Sequence, residues 1–320
     1  MQGWSLERKI LVSQTRLFEW YKSHDNQCYI SFSGGKDSTV LAFLAAQVCM
    51  VQGCRLVLWF SDTGLEFPEL RTHVMTYGRW LQGKFNIEVE TIMEPPRDKN
   101  GNRVLIRDVI LKEGYPIISK RVARRVHDVQ KLGQDCYAAR CFDGRETGFY
   151  DMRKWRFLID APFRISNRCC DIMKKRPSHQ FTRKTGLVPV IGTMASESQQ
   201  RRIEWMHHGC NAFDNKEPAS RPISFWTEQD ILEMLIRYEI PYASVYGDIL
   251  RDENGKLYVT GYSRTGCMFC GFGCHLEKEP NRFQRLKQTH PKVWEFCMKP
   301  IAEGGLGMKE VLEYINVKIE

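Results

Sequence analysis

The 320-residue chain is predicted to be an α/β protein, with a Rossmann-like parallel sheet, flanking helices and a C-terminal helical region that carries a cysteine cluster. One observation is the apolar strand pattern Cys28–Phe32, which is followed by a glycine turn, an apolar helix pattern and a second strand pattern, Arg55–Phe60. This is the spacing of a βαβ unit, which implies a parallel sheet with a right-handed crossover. The other observation is that a Cys-x-x-Cys motif from Cys267 to Cys270 precedes two helical patterns.

Hydrophobic periodicity and capping signals predict the other elements. Apolar residues at helical spacing from Trp4 to Tyr21 predict a first helix. In the segment WTEQDILEMLIRY, Thr227 is predicted to cap a helix, with Asp230 three residues later in a capping box. The further predicted strands and helices are Ile87–Ile92, Val188–Gly192, Asn281–Thr289 and Met308–Ile315.

We predict a nucleotide-binding domain over residues 1–225, with a basic insertion around residues 95–163, and a C-terminal region over residues 226–320.

Charge, cysteine content and hydropathy limit the class of protein. The net charge of +9 indicates a polyanionic partner. No apolar run approaches the roughly 20 residues of a membrane helix, and the first residues do not resemble an export signal, so we expect a cytoplasmic protein without a membrane partner. The twelve cysteines are therefore expected to be reduced thiols or metal ligands.

The segment SGGKDS, between the first strand and its helix, predicts a phosphate-binding loop. It comprises Ser33, Gly34, Gly35, Lys36, Asp37 and Ser38. Two glycines let successive backbone amides approach one anion, and the helix that follows adds its free N–H groups and positive dipole end. Lys36 supplies a positive charge, the two serines supply hydroxyls, and Asp37 is predicted to hold Mg²⁺. The spacing differs from that of the Walker motif.

Two cysteine pairs predict a metal centre. Cys169 and Cys170 are adjacent, and Cys267 and Cys270 are separated by two residues. Adjacent cysteines rarely chelate one small ion because their side chains diverge, whereas a cluster of several irons accepts both, so the pattern favours iron–sulfur over zinc. A four-cysteine zinc site and two unrelated pairs of buried thiols remain alternatives. Cys274 is either a replacement ligand or a separate reactive thiol.

These motifs resemble those of a known family. SGGKDS is similar to the PP-loop of the ATP-pyrophosphatase superfamily, which includes the adenylyl-sulfate and phosphoadenylyl-sulfate reductases, and residues 62–69, DTGLEFPE, resemble a DTG…FPE segment of those reductases. The segment CCDIMKKRP resembles the CC..RK..P segment of adenylyl-sulfate reductases, in which CC and a distant CxxC bind a 4Fe–4S cluster. The resemblance implies that the nucleotide site also includes Asp62, Thr63, Gly64, Gly192, Glu197 and Arg201.

The C-terminal residues differ from those of the reductases. Reductases of this family end in a tail with ECG(I/L)H, whose cysteine attacks the sulfate sulfur, and the nearest segment here is Gly273-Cys274-His275. Sulfur-inserting members of the superfamily instead adenylylate a substrate oxygen with loss of pyrophosphate and then displace AMP with sulfur. We therefore expect a sulfurtransferase that uses ATP, Mg²⁺ and a 4Fe–4S cluster, with Lys36, Asp37 and Cys274 as catalytic candidates. A cysteine desulfurase is the sulfur donor that the resemblance implies.

Basic stretches point to the acceptor. Lys120, Arg121, Arg124 and Arg125 share one face of a helix, and further basic residues surround Trp155. Positive charge interleaved with aromatic residues suits a nucleic acid such as DNA or tRNA, although solvated surface charge and contacts to the nucleotide are alternatives. Two alternative functions stay open. One is a reductase that converts adenylyl sulfate or phosphoadenylyl sulfate to sulfite with thioredoxin, and the other is a non-enzymatic regulator that binds a cluster and a nucleotide.

Overall fold

A computed structural model describes residues 1–145 and 151–320, which form two compact units. The first unit comprises Met1–Asp62, Glu66–Glu94 and Ser178–Thr265, and the second comprises Thr63–Leu65, Pro95–Pro177 and Gly266–Glu320. This division differs from the predicted boundary at residue 225, because residues 226–265 belong to the first unit. The predicted basic insertion, of which residues 146–150 lie outside the described residues, belongs with the C-terminal residues.

The first unit is built on a six-stranded sheet, which confirms the predicted α/β class with a mainly parallel sheet. Its strands are β1 (Cys28–Ser31), β2 (Leu56–Ser61), β3 (Val89–Glu94), β5 (Val188–Ile191), β6 (Asn211–Ala212) and β7 (Ala219–Ser220), whereas β4 (Ile117–Ile118) belongs to the second unit. The strand order is β3-β2-β1-β5-β7-β6, and every neighbouring pair is parallel except β6 with β7. A two-stranded antiparallel hairpin, β8 (Ile249–Arg251) and β9 (Leu257–Val259), completes the strands of this unit.

Helices cover this sheet and bury its apolar side chains. They are α1 (Leu6–Ser23), α2 (Lys36–Gln52), α3 (Pro68–Phe85), α7 (Gln199–His208) and α8 (Glu228–Arg237), while α6 (Arg176–Thr185) begins in the second unit and continues in the first. The predicted capping box of α8 is confirmed, since the Thr227 side chain accepts from the Asp230 amide and the Thr227 amide donates to the Asp230 carboxylate. Ile231 and Leu235 of α8 join the main core, which explains why residues beyond 225 belong to the first unit.

Helix α3 was not predicted. Leu70, Val74, Tyr77 and Leu81 recur at helical spacing and are buried. The helix begins at Pro68, and a proline that usually marks a break is tolerated in the first turn because its missing N–H has no intrahelical partner there. The apolar spacing that marks this helix is therefore present in the sequence.

The second unit is mainly helical. Its helices are α4 (Ile106–Glu113), α5 (Lys120–Leu132), α9 (Arg282–Thr289), α10 (Pro291–Met298) and α11 (Met308–Tyr314). The helices predicted at residues 281–289 and 308–315 are confirmed, as is the helical placement of residues 120–125. Strand β4 pairs in parallel with β10 (Gly271–Phe272). Among the described residues, no helix has the length and apolar character needed to cross a membrane.

Candidate functional site

The phosphate loop lies where the connections of the sheet reverse direction. Strands β2 and β3 lie on one side of β1, and β5 and β7 lie on the other. The loop Ser33–Gly35 follows β1 and leads into α2, while Gly192 follows β5. In open parallel sheets, ligands bind at the carboxyl ends of the strands on either side of such a reversal. The topology therefore places the predicted loop at the position where this class of fold binds nucleotides.

Close packing explains two of the glycines at this position. Gly34 has φ +73°, and a Cβ there would lie 2.9 Å from Val74 Cγ2 and 3.0 Å from the Leu70 carbonyl oxygen. A Cβ on Gly192 would lie 3.3 Å from both Cα and N of Ser38, so the end of β5 approaches the start of α2 closely. The loop therefore needs glycine for both conformation and space.

The loop amides and hydroxyls have hydrogen-bond partners that a phosphate oxygen can replace. The Gly35 amide donates to Ser33 Oγ at 3.3 Å, and the Lys36 amide donates to the Tyr246 hydroxyl at 3.3 Å. Ser33 Oγ and Ser38 Oγ lie 3.1 Å apart. Since these partners are neutral hydroxyls, an anion accepting from the same amides forms stronger, charge-assisted bonds.

The Lys36 ammonium group is held by residues from far along the chain. Its Nζ donates to Glu228 Oε1 at 2.9 Å and to the Ser263 carbonyl oxygen at 3.1 Å, and it lies 5.1 Å from the centre of the Tyr246 ring. The Lys36 side chain is buried, whereas that of Glu228 is 55% exposed. Glu228, Tyr246 and Ser263 were not predicted, because no local spacing links them to a loop about two hundred residues away.

Asp37 lies in an acidic environment at the start of α2. Burial, followed by the negative charge of Glu197, raises the pKa of Asp37 to about 6, and the Lys36 charge opposes that rise. Glu197 forms an ion pair with Arg201 and accepts a hydrogen bond from the Met194 amide at 2.8 Å. The structure therefore brings Glu197 and Arg201 close to the phosphate loop. A carboxylate in such surroundings favours a nearby cation, and the Mg²⁺ role of Asp37 stays a prediction.

Residues 62–64 divide between the two units. Asp62 directly follows β2, and its carboxylate lies 3.4 Å from the Arg71 guanidinium of α3. In the second unit, buried Thr63 accepts a hydrogen bond from the Leu65 amide at 3.2 Å, and Gly64 has φ +73°. The nucleotide contacts that the resemblance implies for these three residues stay predictions.

The four predicted metal-ligating cysteines line one cavity of the second unit. Cys169 and Cys170, whose Sγ atoms are 4.0 Å apart, precede the turn Asp171–Lys175, and Cys267 and Cys270 form a turn that leads into β10. The other residues lining the cavity are Leu65, Ile106, Ile110, Pro116, Met173, Lys174 and Phe269. The structure therefore brings together two pairs that the sequence separates by 97 positions, in a mainly apolar lining.

The cavity combines thiols with positive charge. The hydrogen bond with Cys169 lowers the pKa of Cys170 to about 6, and the charges of Lys120, Lys174 and Lys175 lower it further against the effect of burial. The same hydrogen bond and burial raise the pKa of Cys169, and burial raises that of Cys270. Within residues 1–145 and 151–320, no group of three or more His, Cys, Asp or Glu side chains has the geometry to hold a metal ion.

Cys274 has the features of a buried structural thiol. It is 1% exposed, its Sγ donates to the Gly271 carbonyl oxygen at 3.0 Å, and burial raises its pKa to about 12. Reactive cysteines are instead partly exposed with a lowered pKa. Cys274 is also outside the lining of the four-cysteine cavity, so its predicted roles as nucleophile or ligand find no support in its surroundings.

Comparison with known proteins bears on this site. Residues 144–271 match the family model of the phosphoadenosine phosphosulfate reductase domain. Over these residues, which are less than half of the chain, the protein is similar to a domain of the PP-loop superfamily, called the reductase-like domain below. The resemblance predicted from the motifs is thus confirmed. The matched part of this reductase-like domain contains both cysteine pairs, Gly192 and Glu197, and it begins after the phosphate loop.

A relative in Methanocaldococcus jannaschii has no assigned function. It is named as an uncharacterized protein and is 22% identical over 307 residues, which are 96% of this chain and 55% of that protein. The chain thus spans about half the length of the curated relative that it matches. This similarity extends across both units, but it adds no activity to the reductase-like domain.

Proposed function

We propose that the protein is a PP-loop enzyme that binds ATP and activates an oxygen of an acceptor by adenylylation, so that sulfur can replace that oxygen. The observation that carries this proposal is the glycine loop at the reversal of the sheet, where the Gly35 and Lys36 amides donate only to neutral hydroxyls and the Lys36 ammonium group is buried. The reductase-like domain supports an adenine nucleotide as the ligand.

The loop would act by electrostatic stabilisation. The acceptor oxygen attacks the α-phosphorus of ATP, the bond from that phosphorus to the bridging oxygen breaks, and pyrophosphate leaves with the electron pair of that bond. Negative charge develops on the leaving group, and Lys36 and the amides of Gly35 and Lys36 would donate hydrogen bonds to it, the amides in place of their bonds to Ser33 and Tyr246. Asp37 would hold the Mg²⁺ that neutralises further phosphate charge. Lys36 would then exchange the Glu228 carboxylate for a phosphate oxygen.

Sulfur replaces oxygen in the second step. Hydrosulfide attacks the atom that bears the adenylylated oxygen, the bond to that oxygen breaks, and AMP leaves. This displacement needs no external oxidant or reductant, because the sulfur enters and leaves the step at the same oxidation level. When a cysteine desulfurase supplies the sulfur as a persulfide, a second thiol must also reduce the sulfur–sulfur bond.

We also propose that Cys169, Cys170, Cys267 and Cys270 hold a 4Fe–4S cluster. The chemistry of the residues suits this group, because four cysteine thiols and Lys174 line one mainly apolar cavity, and four cysteine thiolates are the usual ligands of such clusters. The four cysteines would anchor and shield the cluster, and the lysine would offset the negative charge of the thiolates. When bound by four thiolates, a cluster of this type would supply electron transfer.

An anaerobic preparation tests both parts of the proposal. Iron and acid-labile sulfide are measured first, and ATP binding and pyrophosphate release are then measured on the same holo-protein. Lys36→Met should weaken ATP binding roughly 10- to 150-fold, because a hydrogen bond from a charged group is lost. Lys22→Met, at an exposed lysine near the end of α1, is the matched control and should leave binding unchanged. Equal ATP affinity in the wild type and Lys36→Met would refute the loop's role.

A reductase is the second candidate, and the name of the matched family favours it. Such an enzyme would release sulfite from phosphoadenylyl sulfate or adenylyl sulfate, with thioredoxin as the reductant. If neither phosphoadenylyl sulfate nor adenylyl sulfate yields sulfite, the reductase is excluded. Binding of ATP and a cluster with no turnover of any kind would instead indicate the non-enzymatic regulator.

A further inference from the structure

We propose that a mostly exposed basic and aromatic surface of the second unit, in which Arg125 is half-buried, binds single-stranded nucleic acid. This surface, here called the α5 surface, consists of Lys120, Arg121, Arg124 and Arg125 of α5 together with Tyr137 and Arg140 of the turn that follows it. A single-stranded partner is inferred because the surface combines charges that suit phosphates with an exposed ring on which a base can stack.

The positive side chains in the first turns of α5 lie at the positive end of the helix dipole. The helix begins at Lys120, after the N-cap Ser119, and its first turn contains no acidic residue. Positive side chains at the positive end of a helix dipole are unfavourable. Lys120 and Arg124 are in addition a like-charge pair at i,i+4 spacing, which also destabilises a helix. An anionic partner relieves both kinds of repulsion, because it places negative charge beside this end of the helix.

Tyr137 supplies the stacking position. It is 57% exposed, and its ring lies 5.4 Å from the guanidinium carbon of Arg125 and 5.3 Å from that of Arg140. An exposed aromatic ring is unfavourable in water, and two guanidinium groups beside it fix its orientation through cation–π contact. Bases of a single strand stack on such rings while neighbouring phosphates contact the arginines.

The segment Arg153–Asp160 also carries basic and aromatic side chains. The turn Arg153–Asp160 is tied to α5 by Gln130, whose side-chain amide donates to the Leu158 carbonyl oxygen at 3.4 Å. This turn carries Arg156 and the exposed Phe157, and Lys154 lies 5.0 Å from the Trp155 ring centre. Basic and aromatic side chains therefore continue beyond the α5 surface along the same unit.

The chain connectivity places the α5 surface next to the cysteine cavity. Pro116 lines the cavity, β4 follows it directly, and α5 begins two residues after β4 ends. Strand β4 pairs with β10, which begins at the residue after Cys270. A strand bound along α5 would therefore pass the cavity. That such a strand is the acceptor of sulfur rests on the proposed function, whereas its binding does not.

Binding can be measured with the full chain and fluorescein-labelled 20-mers of deoxythymidine and of uridine, by anisotropy over a range of salt concentrations. The double variant Arg124→Gln/Arg125→Gln should lower the slope of log affinity against log salt by about 1.4, since each phosphate contact on a single strand contributes about 0.7. Tyr137→Ala should weaken binding roughly 5- to 150-fold, and Tyr137→Phe should bind like the wild type. Lys22→Gln/Arg55→Gln, which removes two exposed charges of the first unit, is the matched control.

Several results would overturn the inference. They are failure of both 20-mers to bind, an unchanged salt slope in Arg124→Gln/Arg125→Gln, or a loss of equal size in the control. Preference for duplex DNA with no effect of Tyr137→Ala would also overturn it, because stacking would then play no part. ATP binding, measured in the same samples, separates the two proposals. Oligonucleotide binding that fails while ATP binds overturns only this inference, and failed ATP binding overturns the proposed function.

Discussion

His73 should make the stability of the first unit sensitive to acid. This residue of α3 is 6% exposed, its Nε2 lies 3.0 Å from Thr39 Oγ1 in the first turns of α2, and its ring packs against Phe32 and Tyr77. Burial lowers the pKa of His73 from 6.5 to about 4. It therefore lies beneath the phosphate loop as a neutral imidazole.

The size of this pH effect on the free energy of unfolding follows from the difference in the His73 pKa between the folded and unfolded states. Because the pKa is lower in the folded state, the unfolded chain takes up the proton first as the pH falls. The stabilisation is present above about pH 6.5 and is lost progressively down to about pH 4. A difference of about 2.5 pH units, at 1.36 kcal/mol per unit, corresponds to a loss of about 3 kcal/mol in the free energy of unfolding.

Urea unfolding of the wild type and of His73→Gln, measured from pH 7.5 to pH 4, isolates this contribution. Glutamine retains a hydrogen-bonding group but does not titrate, so the wild type should lose about 3 kcal/mol more than the variant. His208→Gln, at an exposed position of α7, is the control and should follow the wild type. If His73→Gln and the wild type lose stability in parallel, the burial argument is wrong.

Three further predictions concern the two candidate sites. Gly34→Ala should lower stability and ATP affinity more than Gly53→Ala. Both residues have positive φ, so either alanine lowers the free energy of unfolding by about 1–2 kcal/mol, but only at Gly34 do other atoms lie within 4 Å of the added methyl. Urea unfolding and ATP titration check this, and equal losses would contradict it. Glu228→Gln should tighten ATP binding by up to about 5-fold, because it removes the exposed carboxylate that competes for the Lys36 ammonium group, and calorimetry checks the direction. Cys270→Ser should reduce the iron content of the anaerobic protein and Cys274→Ser should not, and equal iron loss in both would contradict the assigned ligand set.

The predictable features are those set by neighbouring residues. The capping box at Thr227 and the phosphate loop before Lys36 depend on contacts within a few positions, so their patterns are visible in the chain. Helix α3 also has a local apolar pattern, and the sequence analysis did not predict it. The domain boundary failed for a different reason, since α8 joins a core whose other members come mostly from residues before 190.

The sequence by itself determined the α/β class, and it sufficed to predict the glycine-rich loop as an anion site and the four cysteines as one set, because each depends on local periodicity or on residue chemistry. Only the tertiary structure decided which groups hold Lys36, that Cys274 is buried, and that the two cysteine pairs line one cavity. Such contacts join residues about a hundred to two hundred positions apart, and they form because burial of apolar surface brings the elements together. No local pattern encodes that proximity.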